Sequence, residues 1–433
     1  MMQISLVNRL FDPSLNTMNF LNEVVLNYPK AVSFAPGRPV ESFFNVEASF
    51  AMAAPFVEYV AKSQQASRTQ CFNSLGQYGK TNGQIQELLV EYLKTDEGIE
   101  TTPQSIIITN GCQEAMTLLL MGLFNIQEDV LLVSDPSYIG ITGLAQVLGL
   151  QVHPIPVNEK GLEPEALEAA IAEVRSSGKN PKAVYDIPDF NNPLGTSMPL
   201  ENRKRILETA KANDLIIFED NPYGMFAFDG KPAPTLKSLD KDGLVIYMGT
   251  VSKTLYPGLR LGYLVADQTT LTPEGEEVTI VSQLSKIKSF VSVNTSPLLQ
   301  AIVGGILLEN KGSLIPLLQP KIAFYKQNRD HMVSCLEKSL QDAGVPQGLV
   351  RWTKPGGGFF LTVYLPFPFN QELVRECAGE YGVICCPMSM FSLRGAHKNE
   401  MRLSFSYVDK DQIELGIQRL ASFIRDQIQK QGS

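Results

Sequence analysis

Between residues 105 and 265 the chain alternates short, uninterrupted apolar runs with longer segments whose apolar residues recur at helical spacing. The runs at 105–109, 130–133, 152–157, 183–187, 215–219, 244–249 and 261–265 are rich in Ile, Val and Leu, and each is short enough to predict a strand. Between them, 164–174 places Leu167, Ala170, Ile171 and Val174 on one helical face, and 200–212 does the same with Ile206, Leu207 and Ala210. Strands without polar alternation, separated by amphipathic helices, predict an α/β fold whose mostly parallel sheet is sandwiched by helices.

Past about residue 315 the pattern changes. A long helical stretch, 322–342, stops before Gly344; strand-like 358–364, helical 371–381, a strand around Val383 and another at 401–405 follow. The last helix starts near Asp411, carries the stripe Ile413, Ile417, Leu420 and Ile424, and has Asp409 or Asp411 as cap. This predicts a smaller α+β domain at 316–433, a large domain at 51–315, and a 1–50 segment that forms an arm and part of the small domain.

Composition narrows the class. A 433-residue chain with 44% hydrophobic and 19% charged residues is an ordinary globular protein long enough for two domains. A net charge of −8 argues against a nucleic-acid partner. No apolar run approaches the length of a membrane span, and residues 1–19 lack a signal peptide's apolar centre, so a cytoplasmic location is expected. The six cysteines form no CxxC pair, and Cys385 and Cys386 read as buried small hydrophobes. The three histidines are too far apart to suggest a metal site.

The most specific chemistry follows the run at 244–249. Lys253 stands just past a predicted strand, accompanied by Thr250, Ser252 and Arg260. An amine in that place can form an imine with an aldehyde cofactor while hydroxyls and a guanidinium hold a phosphate, which describes pyridoxal 5′-phosphate. A solvated surface lysine is the plain alternative, and the partners elsewhere decide between them. Thr109-Asn110-Gly111-Cys112-Gln113 ends a strand and opens a helix from Glu114 to about Phe124. That makes an anion site of free N–H groups, or only a tight turn. Pro355-Gly356-Gly357-Gly358 has no helical pattern behind it and reads as a turn entering a strand.

Asp220 ends the run at 215–219, at the edge where α/β proteins bind ligands. Against a pyridine nitrogen its carboxylate keeps the ring an electron sink; a helix cap is the alternative. Tyr223, and Asn192 in Asn191-Asn192-Pro193, can hydrogen-bond the ring's phenolic oxygen. Tyr138 can stack on its face. Arg402 is the one cation inside the apolar strand 401–405, where a guanidinium requires an anion: a substrate α-carboxylate, or a structural ion pair.

With these residues in place, nearly the whole chain, from about Val32 onward, resembles the fold-type I pyridoxal-phosphate enzymes of the class I/II aminotransferase superfamily. It most resembles the kynurenine/2-aminoadipate and aromatic aminotransferase branch. Ser252-Lys253 with Pro257-Gly258-Leu259-Arg260-Leu261-Gly262 is similar to the family's cofactor-lysine signature. The resemblance implies Lys253, Asp220 and Tyr223 as catalytic residues. It implies Gly111, Cys112, Gln113, Tyr138, Asn192, Thr250, Ser252 and Arg260 around the cofactor, and Arg402 with Asn192 on the substrate. Gly37 and Arg38 fall in a loop that borders the substrate in relatives. Gln77-Tyr78-Gly79 resembles the segment whose tyrosine reaches the neighbouring subunit's phosphate, implying a homodimer with shared sites. Departures are Leu194 where Thr is common, Arg38 where an apolar residue is common, and Cys385-Cys386-Pro387-Met388-Ser389 in place of a Pro-Gly turn. Arylglycine aminotransferases look similar at these loops.

The implied reaction is ping-pong amino transfer from an amino acid to a 2-oxo acid. The same constellation can serve a lyase, decarboxylase, racemase or oxidase, because the pocket chooses the bond. An aminotransferase-like transcription regulator would need a DNA-binding module, for which the stretch before Val32 is too short. A nicotinamide dehydrogenase would need a GxGxxG after its first strand.

Overall fold

The computed structural model describes residues 4–432; Met1 to Gln3 of the expected arm and Ser433 of the expected C-terminal domain lie outside them. Seven strands form the central sheet: Ile106–Thr109 (β1), Asp129–Asp135 (β2), Gln151–Pro156 (β3), Asn180–Asp186 (β4), Ile216–Asp220 (β5), Val245–Thr250 (β6) and Gly262–Val265 (β7). Their spatial order is β1-β7-β6-β5-β4-β2-β3. All pairings are parallel except those of β7, which runs antiparallel to β1 and β6. Every residue of β1, β2 and β7 is buried, which is why these segments read as continuous apolar runs.

Each predicted run forms a strand, and the ends shift where polar groups are satisfied. The strand expected at 130–133 extends back to Asp129, a buried residue whose carboxylate accepts the Asn125 N–H at 2.7 Å and the Asn180 amide at 2.6 Å. Because β7 runs against its neighbours, its first residue lies beside the carboxyl ends of β1 and β6. The segments that meet at this edge carry Gly111, Tyr138, Asn192, Asp220, Lys253 and Arg260.

The helices that matter here are Thr17–Asn27 (α1), Cys112–Leu123 (α2), Ile280–Val291 (α3), Ile315–Asp342 (α4) and Lys410–Gly432 (α5). Helix α4 begins at Ile315 rather than at 322. Pro316 lies in its first turn, where a missing N–H is harmless, and Pro320 forfeits only one intrahelical bond. For α5, the cap is Asp409, which accepts the Gln412 N–H at 2.8 Å, and the predicted stripe is fully buried.

The C-terminal sheet consists of Arg351–Trp352 (β8), Phe360–Tyr364 (β9), Cys386–Pro387 (β10) and Glu400–Ser404 (β11), antiparallel in the order β8-β9-β11-β10. The turn at Gly356 to Gly358 leads into β9, and Cys385 and Cys386 are buried. Val32–Ser33 pairs parallel with Val383–Ile384, so the loop that follows, with Gly37, runs beside this sheet and faces the large one. Among the described residues, no helix is long and apolar enough to cross a membrane.

One buried ion pair secures the start of α2. Glu114 accepts the Asn110 N–H at 2.6 Å and Lys288 Nζ of α3 at 2.8 Å; Lys288 also reaches Thr295 Oγ1 at 3.2 Å. The Lys288 side chain is 0% exposed, so removing it strands a carboxylate in the interior. Lys288→Met should lower unfolding stability by about 3–5 kcal/mol in a denaturant titration. A loss no larger than that of a surface lysine would show that the pair does not secure the helix.

Candidate active site

A cavity of about 360 Å³ opens at the carboxyl edge of the large sheet, and every predicted site residue lines it except Arg38 and Tyr78. Arg38 instead lays its guanidinium 4.0 Å from the centre of the Tyr407 ring. Tyr78 is 80% exposed on the surface.

Lys253 is set by the end of β6. The Thr250 hydroxyl accepts the Ser252 N–H at 3.1 Å, starting the short helix Val251–Thr254 that carries the lysine. Lys253 Nζ donates to the Gly37 carbonyl at 2.8 Å. Burial, followed by repulsion from Arg402, lowers its pKa to about 8 against the attraction of Asp220. An amine so placed keeps a sizeable neutral fraction near neutrality, as a nucleophile or base requires.

Beside it lies an anion cradle. Gly111 has φ +78° and immediately precedes α2, and a Cβ there would come within 2.7 Å of Arg260 Nη2. A Cβ on Gly262 would lie 2.7 Å from the Gly111 carbonyl carbon, so two backbones and a guanidinium meet where side chains have no room. The N–H groups at the start of α2, the hydroxyls of Thr250 and Ser252, and Arg260 together suit a phosphate dianion.

The ring side is defined by Asp220. Its Oδ2 accepts the Tyr185 hydroxyl at 2.7 Å, while Oδ1 is buried with no partner. Burial raises its pKa to about 6, with the Tyr185 hydrogen bond and Lys253 opposing. A buried carboxylate oxygen left open toward a cavity calls for a donor, and a protonated pyridine nitrogen is one. These groups fit pyridoxal phosphate: a cradle for its phosphate, an amine for its aldehyde and a carboxylate for its ring nitrogen. Tyr138 is largely buried and its pKa is raised to about 12, by burial first and then Asp220. Gln113 Nε2 donates to Gly140 O at 2.8 Å, fixing the turn after Tyr138. Burial also raises the Tyr223 pKa well above the ordinary phenol value.

On the opposite wall, Arg402 Nη1 donates to Asn192 Oδ1 at 2.6 Å and Nη2 to the Ala35 carbonyl at 2.6 Å, leaving Nε buried and unpartnered. Its guanidinium lies 4.4 Å from the Phe360 ring centre and 4.8 Å from that of Phe391. Among the described residues no carboxylate pairs with it, so the structural ion pair left open by the sequence is not what holds it.

Tyr185 was missed by sequence reasoning, although a phenol near the end of a buried strand needs a partner and thereby gave a signal. Also unforeseen were Asn22 and Val25 of α1, Met116 of α2, and Ile139, Ile187, Phe360 and Phe391. These come from distant segments, and no motif marks them.

Comparison with known proteins agrees with this geometry. Residues 51–420 match the family described as aminotransferase class I and II. The chain is 40% identical over 415 residues to the (S)-3,5-dihydroxyphenylglycine transaminase of Amycolatopsis orientalis, covering 96% of this chain and 92% of that one. It is 33% identical to aromatic-amino-acid aminotransferase 1 of Thermococcus litoralis, covering 92% and 89%. The crystal structure of the multiple substrate aminotransferase from Thermococcus profundus superposes with a TM-score of 0.82 at 30% identity, covering 98% of each chain.

Asp220 generates a test in the cofactor-free protein. A carboxyl whose folded pKa is raised binds more protons when folded, so stability falls as pH rises from about 4 to about 6. Asp220→Asn should therefore be more stable than the parent at pH 8 by about 1–3 kcal/mol, with the difference fading below about pH 4. Denaturant titrations of both proteins across that range measure it; a difference independent of pH would refute the buried, uncompensated carboxylate.

Proposed function

Because the chain belongs to the aminotransferase class I and II family and is a pyridoxal-phosphate-dependent enzyme that moves amino groups between amino acids and 2-oxo acids, we propose that its amino donor is an aromatic or arylglycine-type amino acid. The observation that carries this reading is the charge inventory of the cavity. Lys253, Arg260 and Arg402 are its only lining cations among the described residues, and the first two suit the cofactor and the third an α-carboxylate. The rest of the wall includes Met116, Ile139, Ile187, Phe360 and Phe391. A second carboxylate on the donor would be desolvated there without a counter-charge, whereas an aryl ring would be favoured. The dihydroxyphenylglycine and aromatic-amino-acid relatives support the same choice.

Bound pyridoxal phosphate supplies an aldehyde for Lys253 and an electron-withdrawing ring. In our reading Arg260, Thr250, Ser252 and the first N–H groups of α2 hold its phosphate. Asp220, steadied by Tyr185, holds its ring nitrogen, while Tyr223 and Asn192 meet the phenolic oxygen and Tyr138 stacks on the ring. Arg402, aimed by Asn192 and Ala35, grips the donor carboxylate so that the Cα–H faces Lys253 Nζ, which takes the proton. The Gly37 carbonyl, already 2.8 Å from Nζ, receives the amine whenever it is unengaged.

We also propose a cytoplasmic homodimer in which Tyr78 completes its partner's phosphate site; its exposure on a single chain and the resemblance of Gln77-Tyr78-Gly79 support this.

Steady-state kinetics over a donor panel test the substrate reading. Phenylglycines and aromatic amino acids should exceed glutamate and 2-aminoadipate in kcat/KM by at least about tenfold, and Arg38→Ala should leave that ratio unchanged. A dicarboxylic donor at the top of the panel would overturn it. The shared site is tested by mixing Lys253→Ala and Tyr78→Ala subunits. Each homodimer should be severely impaired, and a refolded mixture should regain activity because one intact site forms per hybrid. No regain would place Tyr78 outside the site.

A further inference from the structure

The long helix α4 sends one side chain toward the segment that carries the reactive lysine. Lys321 is buried, and its ammonium donates to the carbonyl of Thr254 and, at 3.3 Å, to that of Leu255. These are the two residues directly after Lys253. Among the described residues no carboxylate pairs with it, and burial lowers its pKa to about 8. A buried ammonium with no counter-ion is costly, and a Met or Leu would fill the same space without that penalty.

The carbonyls it serves explain its placement. The helix Val251–Thr254 is a single turn whose closing backbone bond runs from Leu255 N–H to Val251 O. Its last carbonyls have no donor further along the helix, and Leu255 leaves it with φ −103° and ψ −90°, outside any regular conformation. A cation at this end satisfies those carbonyls and favourably opposes the negative end of the turn.

We propose that Lys321 is a positioning residue for Lys253, clamping the carbonyls that follow the reactive lysine so that its amine is presented to the cofactor and to the substrate Cα at a fixed angle. It thereby ties the reactive turn to α4, the helix that packs along α5. Lys321 itself does not line the cavity and touches neither reactant.

The test compares Lys321→Met, which keeps the stem and loses the donors, with Lys321→Arg, which keeps charge and donors. In cofactor-free protein, amide hydrogen exchange over residues 251–256 should quicken in Lys321→Met. The rate at which Lys253 captures pyridoxal phosphate, measured by borohydride trapping, should fall. In the loaded enzyme kcat should drop on the order of tenfold with the donor KM changed by less than about twofold. Lys321→Arg should recover most of the loss. If Lys321→Met fails to fold, Lys321→Leu, which also lacks any donor, replaces it in the same measurements. Unchanged exchange and capture rates in the folded variant that lacks the donors would overturn the proposal. So would a lowered melting temperature with normal kcat, which would leave Lys321 as packing only.

Discussion

Asp220 imposes the constraint on which the site depends: a carboxylate buried at a strand end with one oxygen tied to Tyr185 and the other left open. Burial favours its neutral form, yet an electron-sink cofactor needs it charged, so the surroundings must supply positive charge without closing the open oxygen. Lys253 helps from one side, and the Tyr185 hydrogen bond favours the ionised form. On the proposed reading, the bound cofactor would provide the missing partner. The protein is in this sense built with an incomplete electrostatic network, one that, on the proposed reading, a protonated ring nitrogen would complete.

The sheet topology makes this arrangement affordable. Six strands of one direction end at the edge where antiparallel β7 begins, so the segments carrying Gly111, Tyr138, Asn192, Asp220, Lys253 and Arg260 converge there although nearly 150 residues separate the first from the last. Polar groups required at that edge are anchored behind it by buried contacts. Glu114 and Lys288 secure the first turn of α2, and Asp135 accepts the Leu393 N–H at 2.7 Å and the Ser392 hydroxyl at 2.9 Å. The last contact joins the loop of Tyr138 to the segment of Phe391.

How much of this was legible in the sequence follows from the range of each signal. Strands showed because burial on both faces forces continuous apolar runs, and Lys253, Arg260 and Asp220 showed because cofactor chemistry fixes residue type at strand ends. Asp129 was lost from β2 because its satisfaction depends partly on Asn180, at the start of the distant strand β4. Pro320 hid the start of α4, since a single forfeited bond is tolerated inside a long helix packed along its neighbour. The apolar wall of Met116, Ile139, Ile187 and Phe391 was invisible for a different reason: an apolar residue facing a cavity looks the same in sequence as one facing the core.

That last asymmetry also explains why cofactor and substrate differ in how firmly the chain declares them. The groups proposed to hold the cofactor are charged or hydroxyl groups that must be paired, so each leaves a detectable demand in the sequence. The donor side chain is met by apolar surface, whose only statement is negative: no cation remains to receive a second carboxylate. Arg38 shows how a sequence departure can mislead here, because its guanidinium has an aromatic partner in Tyr407 and does not enter the cavity. On the proposed reading, specificity would be set less by a contact made than by a charge left out, and a single basic residue introduced along the wall of Met116 and Ile139 would be the direct route to a dicarboxylic donor.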